Sequence, residues 1–442
     1  MQKKINHSKQ SLLSLAILTF ISLLTLSDAQ AVPSFTRQTG AACSQCHTQS
    51  FGPNLTPFGR DFKLGGYTLS NGKSNFPALS GMVVGSFNNT DKGVQNPDGI
   101  AGYNKNNNFV FDEASLFYAG KIYGKLGAFA QLTYNALGDA LEMDNTDIRL
   151  ADNTEIADLP ITYGLSFNNN PTVQDLWNTT PVWGFPYTGS EITPTPAAST
   201  LLDGVLGTQT GGITAYSMIN NLLYLEAGSY VAFSSSFQRD IVGVANKADR
   251  LNLDGLAPYW RVALQKDWKG HFFTVGHYGM SADVYPARIH TPTPDRYTDI
   301  AFDATYQYMA NPKHIFEAKT SYIYEDQKLG ATNEGIGKTY LNVFRFNTSY
   351  TFEQTYGVTF GYNKIDGSRN STLYADNIIN RPNSEYFTAE LVYVPFGKEA
   401  SLLGSLMNLR TSLQYIGYTQ FDGTQQNAGN HNTFMVNAWV AF

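Results

Sequence analysis

The 442-residue chain carries 30 Lys and Arg against 36 Asp and Glu, a net charge of −6, a balance that argues against nucleic acid as a partner and favours cations near the protein. Only 15% of its residues are charged, while 14% are aromatic and 39 are glycine. That composition is unlike an ordinary soluble enzyme and suits a transmembrane β-barrel, where lipid-facing aromatics alternate with small polar residues on the lumen side.

Lys3 and Lys4, with Lys9 close behind, give the chain a positive start. A mostly apolar run from Leu12 to Leu26 follows, and Ala29-Gln30-Ala31 is a small-x-small cleavage site. Residues 1–31 have the form of a secretory signal, so the mature chain is expected to begin near Val32. A membrane-anchoring helix is the competing account, but the run is short for a span and ends in a good cleavage site. Without the signal, 27 basic and 35 acidic residues remain, a net charge of −8. No later stretch is long and apolar enough for a transmembrane helix.

Cys43-Ser44-Gln45-Cys46-His47 contains both cysteines of the chain and spells the attachment signature of a covalently bound c-type haem. The two thiols add across the two vinyl groups of one porphyrin, and the adjacent histidine lies under the iron as proximal ligand. A thioredoxin-like redox pair would need a βαβ context and gives no reason for His47. A zinc site would need two more ligands nearby, and none appears. One haem c is therefore expected, and electron transfer is the starting point for function.

Residues 32–75 form the haem-bearing segment, too short to bury a porphyrin alone. The barrel interior is its expected support, with the segment acting as a plug. Arg37, Phe51, Phe58, Arg60, Phe62, Lys63 and Tyr67 surround the motif in sequence. Aromatics there can pack the porphyrin faces, and Arg or Lys can pair with its propionates.

From residue 76 to 442 the sequence breaks into short alternating segments. In Tyr297 to Ala310, Ile300, Phe302, Ala304, Tyr306 and Tyr308 fall on one face and Asp299, Asp303, Thr305, Gln307 and Met309 on the other. Leu341 to Phe352 repeats the pattern. Such segments number about sixteen, an even count typical of bacterial single-chain barrels. They lie near 79–88, 109–123, 126–135, 145–152, 161–168, 211–219, 222–233 and 257–267, then 271–283, 297–309, 314–326, 338–352, 355–366, 384–396, 409–421 and 431–442. The expected fold is thus an all-β, antiparallel, outer-membrane barrel with an N-terminal plug. Tight turns such as 121–125, 220–221, 267–270, 310–313 and 352–355 alternate with long polar connections, as when short turns face the periplasm and long loops face outward. The connections at 151–160 and 397–408 are longer than that pattern wants. The terminal strand ends on Phe442 and is expected to close the barrel against the first.

Met82, inward by alternation with Ser80, Val84 and Ser86, is the candidate sixth ligand, since methionine opposite histidine raises the potential. Met309 and Met435 can also face inward, and His277 and His314 lie on strands. No compact set of carboxylates or histidines would hold iron(II) as fixed ligands. Asp91, Asp98, Asp139, Glu142, Asp144, Asp240 and Asp254 are scattered through the expected loops, where their field would enrich cations. His290 and His431 make a weak metal signal. The aromatic stretch Trp177 to Tyr187 either folds inward to narrow the pore or packs a long loop.

Pro33 to Gly40, the haem pair, and Phe58-Gly59-Arg60-Asp61-Phe62-Lys63-Leu64-Gly65-Gly66-Tyr67 together resemble the outer-membrane cytochrome–porin fusions, whose best-known members are iron(II) oxidases. Asn168 to Pro181 and Trp183 to Tyr187 are similar as well. One departure is Gly52, which separates Phe51 from Pro53. The resemblance implies one c-type haem on a plug inside a barrel of about sixteen strands. It also implies electron passage from extracellular iron(II), or another external redox substrate, to a periplasmic c-type cytochrome. Outward electron flow, and a diffusion pore in which the haem is a sensor, are the alternatives.

Overall fold

The computed structural model describes residues 33–73, 77–93, 103–136, 138–333, 335, 337–399, 401, 403 and 407–442. The expected export signal lies outside the described residues. Sixteen long antiparallel strands pair in chain order and close on themselves. They are β1 (Leu79–Thr90), β2 (Asn108–Tyr123), β3 (Leu126–Asn135), β4 (Ala140–Ile156), β5 (Leu159–Asn168), β6 (Thr210–Ile219), β7 (Leu223–Ala232) and β8 (Ala257–Trp268). The second half comprises β9 (His271–Tyr285), β10 (Asp295–Asn311), β11 (His314–Leu329), β12 (Lys338–Phe352), β13 (Tyr356–Gly367), β14 (Ser384–Tyr393), β15 (Asn408–Gln420) and β16 (Thr433–Ala441). A two-residue stretch, Asn252–Leu253, precedes β8 and pairs with the end of β9. Closure runs from Met82↔Ala441 to Thr90↔Thr433, and Phe442 exchanges both backbone hydrogen bonds with Gly81 at 2.7 and 2.8 Å.

The alternation sorts side chains between lipid and lumen as its period of two demands. On β10, Phe302 is exposed on the outer wall while Asp299, Asp303, Thr305 and Gln307 are buried inside. Tyr123, Trp268, Tyr356, Tyr393 and Phe442 are exposed near the short-turn end, an aromatic girdle at one membrane interface. Among the described residues no helix is long and apolar enough to cross a membrane.

The 151–160 connection proves to be strand. β4 continues to Ile156 and β5 begins at Leu159, joined by Ala157 and Asp158 in the left-handed region. The second long connection, between β14 and β15, stays long because it grips the plug. Gly397 O accepts the Ser44 N–H at 3.1 Å, and Glu399 accepts from Gln45 Nε2 at 2.7 Å. A Cβ on Gly397 would meet Ser50 at 2.4 Å, so this approach requires glycine.

The plug sits inside the barrel at the short-turn end. It contains three short helices, α1 (Pro33–Thr39), α2 (Cys43–Cys46) and α3 (Pro57–Leu64). Thr56 caps α3 by accepting from Gly59 N at 3.2 Å, and Pro57 stands at its first turn. Gly59 lets α3 press on α2: a Cβ there would lie 2.4 Å from Cys46 O.

From the opposite end, the long 169–209 loop folds into the lumen and meets the plug. Lys63 Nζ donates to Val173 O, Asp175 O and Asn178 Oδ1 at 2.9, 2.6 and 2.9 Å, and Asn178 donates to Pro53 O at 2.7 Å. Fully buried Arg261 joins loop residue Asp175 at 3.3 Å to wall residue Asp303 at 2.7 Å. Of the two accounts of Trp177 to Tyr187, the inward fold is the one observed.

Candidate functional site

One turn of helix holds the attachment motif. Cys43 and Cys46 span one helical turn, and His47 follows as its extended C-cap residue. His47 N bonds to Cys43 O at 2.8 Å. The His47 Nδ1 lies 3.3 Å from Asn54 O, which fixes the ring and leaves Nε2 as the nitrogen available to a metal. Burial pulls His47 down to about 4 against the opposing pull of the Asn54 carbonyl, so the ring is neutral at ordinary pH. Burial also pushes the Cys46 thiol up to about 12, which disfavours the thiolate that redox exchange or zinc binding would use.

Cys46 and His47 line a cavity of about 950 Å³, a volume suited to a large organic cofactor. Phe35, Phe51, Phe62, Met82, Phe117 and Trp439 form its inner, apolar part. Phe35 meets Phe62 edge-on at 4.9 Å and stacks on Tyr67 at 5.4 Å. Cys43 stands directly behind this wall, its sulfur 3.3 Å from the Asn408 amide nitrogen, and Asn408 itself lines the cavity. An aromatic box bordered by Cys46 and an oriented imidazole, with the Cys43 sulfur beside Asn408, presents the residues that would hold a thioether-linked porphyrin.

The outer part of the same cavity is acidic. Asp112, Glu113, Glu142, Asp144 and Glu191 line it together with Gln131 and Thr133. The cations on the lining are already engaged, Lys63 by the loop and Arg345 by Asp203 at 2.6 and 2.7 Å. Asp112 and Glu113 both reach the lumen because β2 bulges there. Val84 pairs with Glu113 and Gly85 with Phe111, leaving Asp112 as the extra residue.

Phe62, Lys63, Tyr67 and Met82 border the cavity as expected from sequence. Tyr67 donates to Asp147 Oδ2 at 2.6 Å. Met82 Sδ accepts from Trp439 Nε1 at 3.0 Å. Phe58 does not border it. It is 38% exposed, in a shallow groove on the solvent side of α2 with Leu69 and Gln45. Arg60 is likewise elsewhere. Its guanidinium donates to Leu55 O and Gln307 Oε1 at 3.0 and 2.6 Å and lies over the Phe272 ring, anchoring the plug to the wall. Arg37, similarly, donates to Leu79 O.

The other ligand candidates fall away from the cavity. His277 bonds to Trp260 Nε1 at 3.0 Å on the outer wall, and His314 to the Tyr350 hydroxyl at 2.6 Å. Met435 packs with Ile416 and Tyr418, and Met309 is absent from the lining. His290 stacks near Tyr285, and His431 lies on the Phe421 ring at 3.9 Å. Among the described residues no group of His, Cys, Asp and Glu is arranged to hold a metal ion. Of the scattered acids, only Glu142 and Asp144 reach the cavity, while Asp98 lies outside the described residues. Asp112, Glu113, Glu191, Asn54 and Trp439 are lining or orienting residues that sequence reasoning missed, while Trp183 lies in the aromatic stretch it singled out. Trp439 could have been found by counting inward by twos from Met435 and Asn437.

No protein-family model and no curated protein sequence matches the chain. Among solved structures it is similar to an anion-selective porin from Comamonas acidovorans, at 13% identity and a TM-score of 0.45 over 82% of this chain and 98% of that one. It is similar to the outer-membrane channel DcaP of Acinetobacter baumannii at 11% identity and 0.45, covering 82% and 96%. OmpF of Salmonella typhi follows at 13% and 0.44, covering 82% and 97%. The chain's own strand pairing, apolar outer wall and alternation of short turns with long loops make it a β-barrel of the bacterial outer membrane.

Proposed function

We propose that this chain carries electrons from extracellular iron(II) through a haem c, attached at Cys43 and Cys46 and ligated by His47, to a periplasmic cytochrome. The observation that carries the proposal is the single cavity, with the attachment turn at one end and five carboxylates at the other. When bound, the haem supplies one-electron chemistry; the protein supplies orientation, dryness and field.

The residues divide that work. Asn54 holds His47 so that Nε2 faces the cavity. Phe35, Phe51, Phe62 and Phe117 keep water from the ring, and low polarity around a ligand set tunes its potential. Met82 is the sixth-ligand candidate bordering the same space, and Trp439 donates to its sulfur at 3.0 Å. The outer carboxylates concentrate cations, since Lys63 is held by loop acceptors and Arg345 by Asp203, and neither pairs with them. At the short-turn end Gln354 donates to Ser44 O and His47 O at 2.9 and 3.2 Å and the β14–β15 connection meets Ser44 and Gln45, so this is the face on which a soluble acceptor would approach the attachment turn.

Purified protein should show the added mass of one haem, and that haem should be reduced rapidly on mixing with iron(II) in stopped flow. Protein without the added mass removes the cofactor from the account. Haem-loaded protein that iron(II) leaves oxidised removes iron(II) as donor.

A further inference from the structure

Asp299 on β10 and Glu325 on β11 stand directly opposite each other in register, both inside the lumen and both fully buried. Facing residues on neighbouring strands have Cβ atoms only ~5 Å apart, where like charges destabilise the sheet. The two carboxyls also take adjacent N–H groups of one loop turn. Glu325 Oε2 accepts from Leu201 N at 2.8 Å and Asp299 Oδ2 from Leu202 N at 2.9 Å.

Among the described residues no basic group pairs with either carboxyl. Around them stand Thr200 and Asp203 from the loop, Tyr297 and Asp295 from β10, Gln327 from β11, Met280 from β9, and Tyr374 from the β13–β14 connection. Gln327 Nε2 donates to Glu325 Oε1 at 2.7 Å. Arg345 from β12 forms its ion pair with Asp203, and among the described residues neither carboxyl has a salt bridge. Two facing buried carboxylates without a cation cannot both ionise, so at least one proton stays on the pair.

We propose that Asp299 and Glu325 hold a single proton between them and that this proton latches the Leu201–Asp203 turn, making the 169–209 loop a pH-sensitive gate over the cavity. The latch is set at low pH. Ionisation of the second carboxyl sets two negative charges face to face, and the turn loosens as pH rises. The loop supplies the Pro181–Glu191 side of the cavity, so its release opens that space to the exterior. The proposal is independent of any cofactor at Cys46.

Hydrogen exchange at the Leu201 and Leu202 amides of the full chain in lipid reports the latch directly. After correction for intrinsic exchange rates, protection should fall about tenfold per pH unit once the shared proton begins to leave, the slope of a one-proton linkage. Glu325→Gln, which donates an N–H where the proton was, should keep protection high and flat across pH. Asp299→Asn makes the same test from the opposite strand should the first variant not insert. Flat protection in the unaltered chain, or an unchanged pH response in either variant, overturns the proposal.

Discussion

Asp175 is the residue through which the inward loop holds its shape, and its removal tests whether that loop seals the lumen. Its carboxylate accepts from the backbone N–H groups of Trp177, Thr179 and Thr180 at 3.2, 2.8 and 3.1 Å, and it pairs with buried Arg261. Asp175→Ala orphans three buried donors, each costing ~1 kcal/mol or more, and halves the countercharge on Arg261. Breaking one side of a buried ion pair costs about 3–5 kcal/mol, and Asp303 retains part of that here, so about 3–5 kcal/mol for the whole site is a reasonable total. That corresponds to a shift of roughly 150- to 5000-fold in the ratio of open to closed loop. Single-channel recording in planar bilayers should find the unaltered protein closed nearly all the time and Asp175→Ala opening far more often. Asp175→Asn, which keeps an acceptor for the N–H groups, should fall between. A folded Asp175→Ala barrel with the conductance of the unaltered protein would refute the reasoning.

Three further outcomes are expected. Arg410 and Glu390 form a buried bidentate pair at 3.1 and 2.7 Å. Arg410→Leu alone should cost about 3–5 kcal/mol, seen as a lower temperature for loss of the folded gel band, and adding Glu390→Leu should recover most of it. In haem-loaded protein, Met82→Ala should abolish the His–Met band at the red edge of the visible spectrum, and its persistence eliminates Met82 as ligand. Burial draws the Lys63 ammonium down to about 7, so a positive charge beside the cavity is present below that pH and lost above it. Because that charge favours an added electron, the midpoint potential should fall as pH rises through about 7, and Lys63→Met should flatten the curve.

Much of the barrel is legible in the sequence because the bilayer enforces the alternation. The segments at 126–135 and 338–352 coincide with β3 and β12 end to end. A period of two fails where a side chain leaves the lipid, as beyond Ala151, where both faces of the β4–β5 hairpin become largely exposed and the pattern fades. In the site, the relation of Cys46 to His47 is local, and the structure places both on the cavity. Phe58 departs from the expected contact because it stands in the first turn of α3, outside the cavity, with its ring exposed in the groove beside Gln45 and Leu69. Arg60 was misjudged because its partners, Gln307 and Phe272, come from strands more than 200 residues away. The bulge at Asp112 that turns two successive acids inward leaves no mark in the sequence.

The plug, residues 33–73, precedes β1 in the chain, yet it is enclosed by a wall whose last staple is Phe442 against Gly81. The plug and the seam of the barrel are thus coupled, because β1, the first strand after the plug, is one half of that seam. A change that loosens the pairing of β1 with β16 therefore also loosens the wall against which Met82 and Trp439 face the plug.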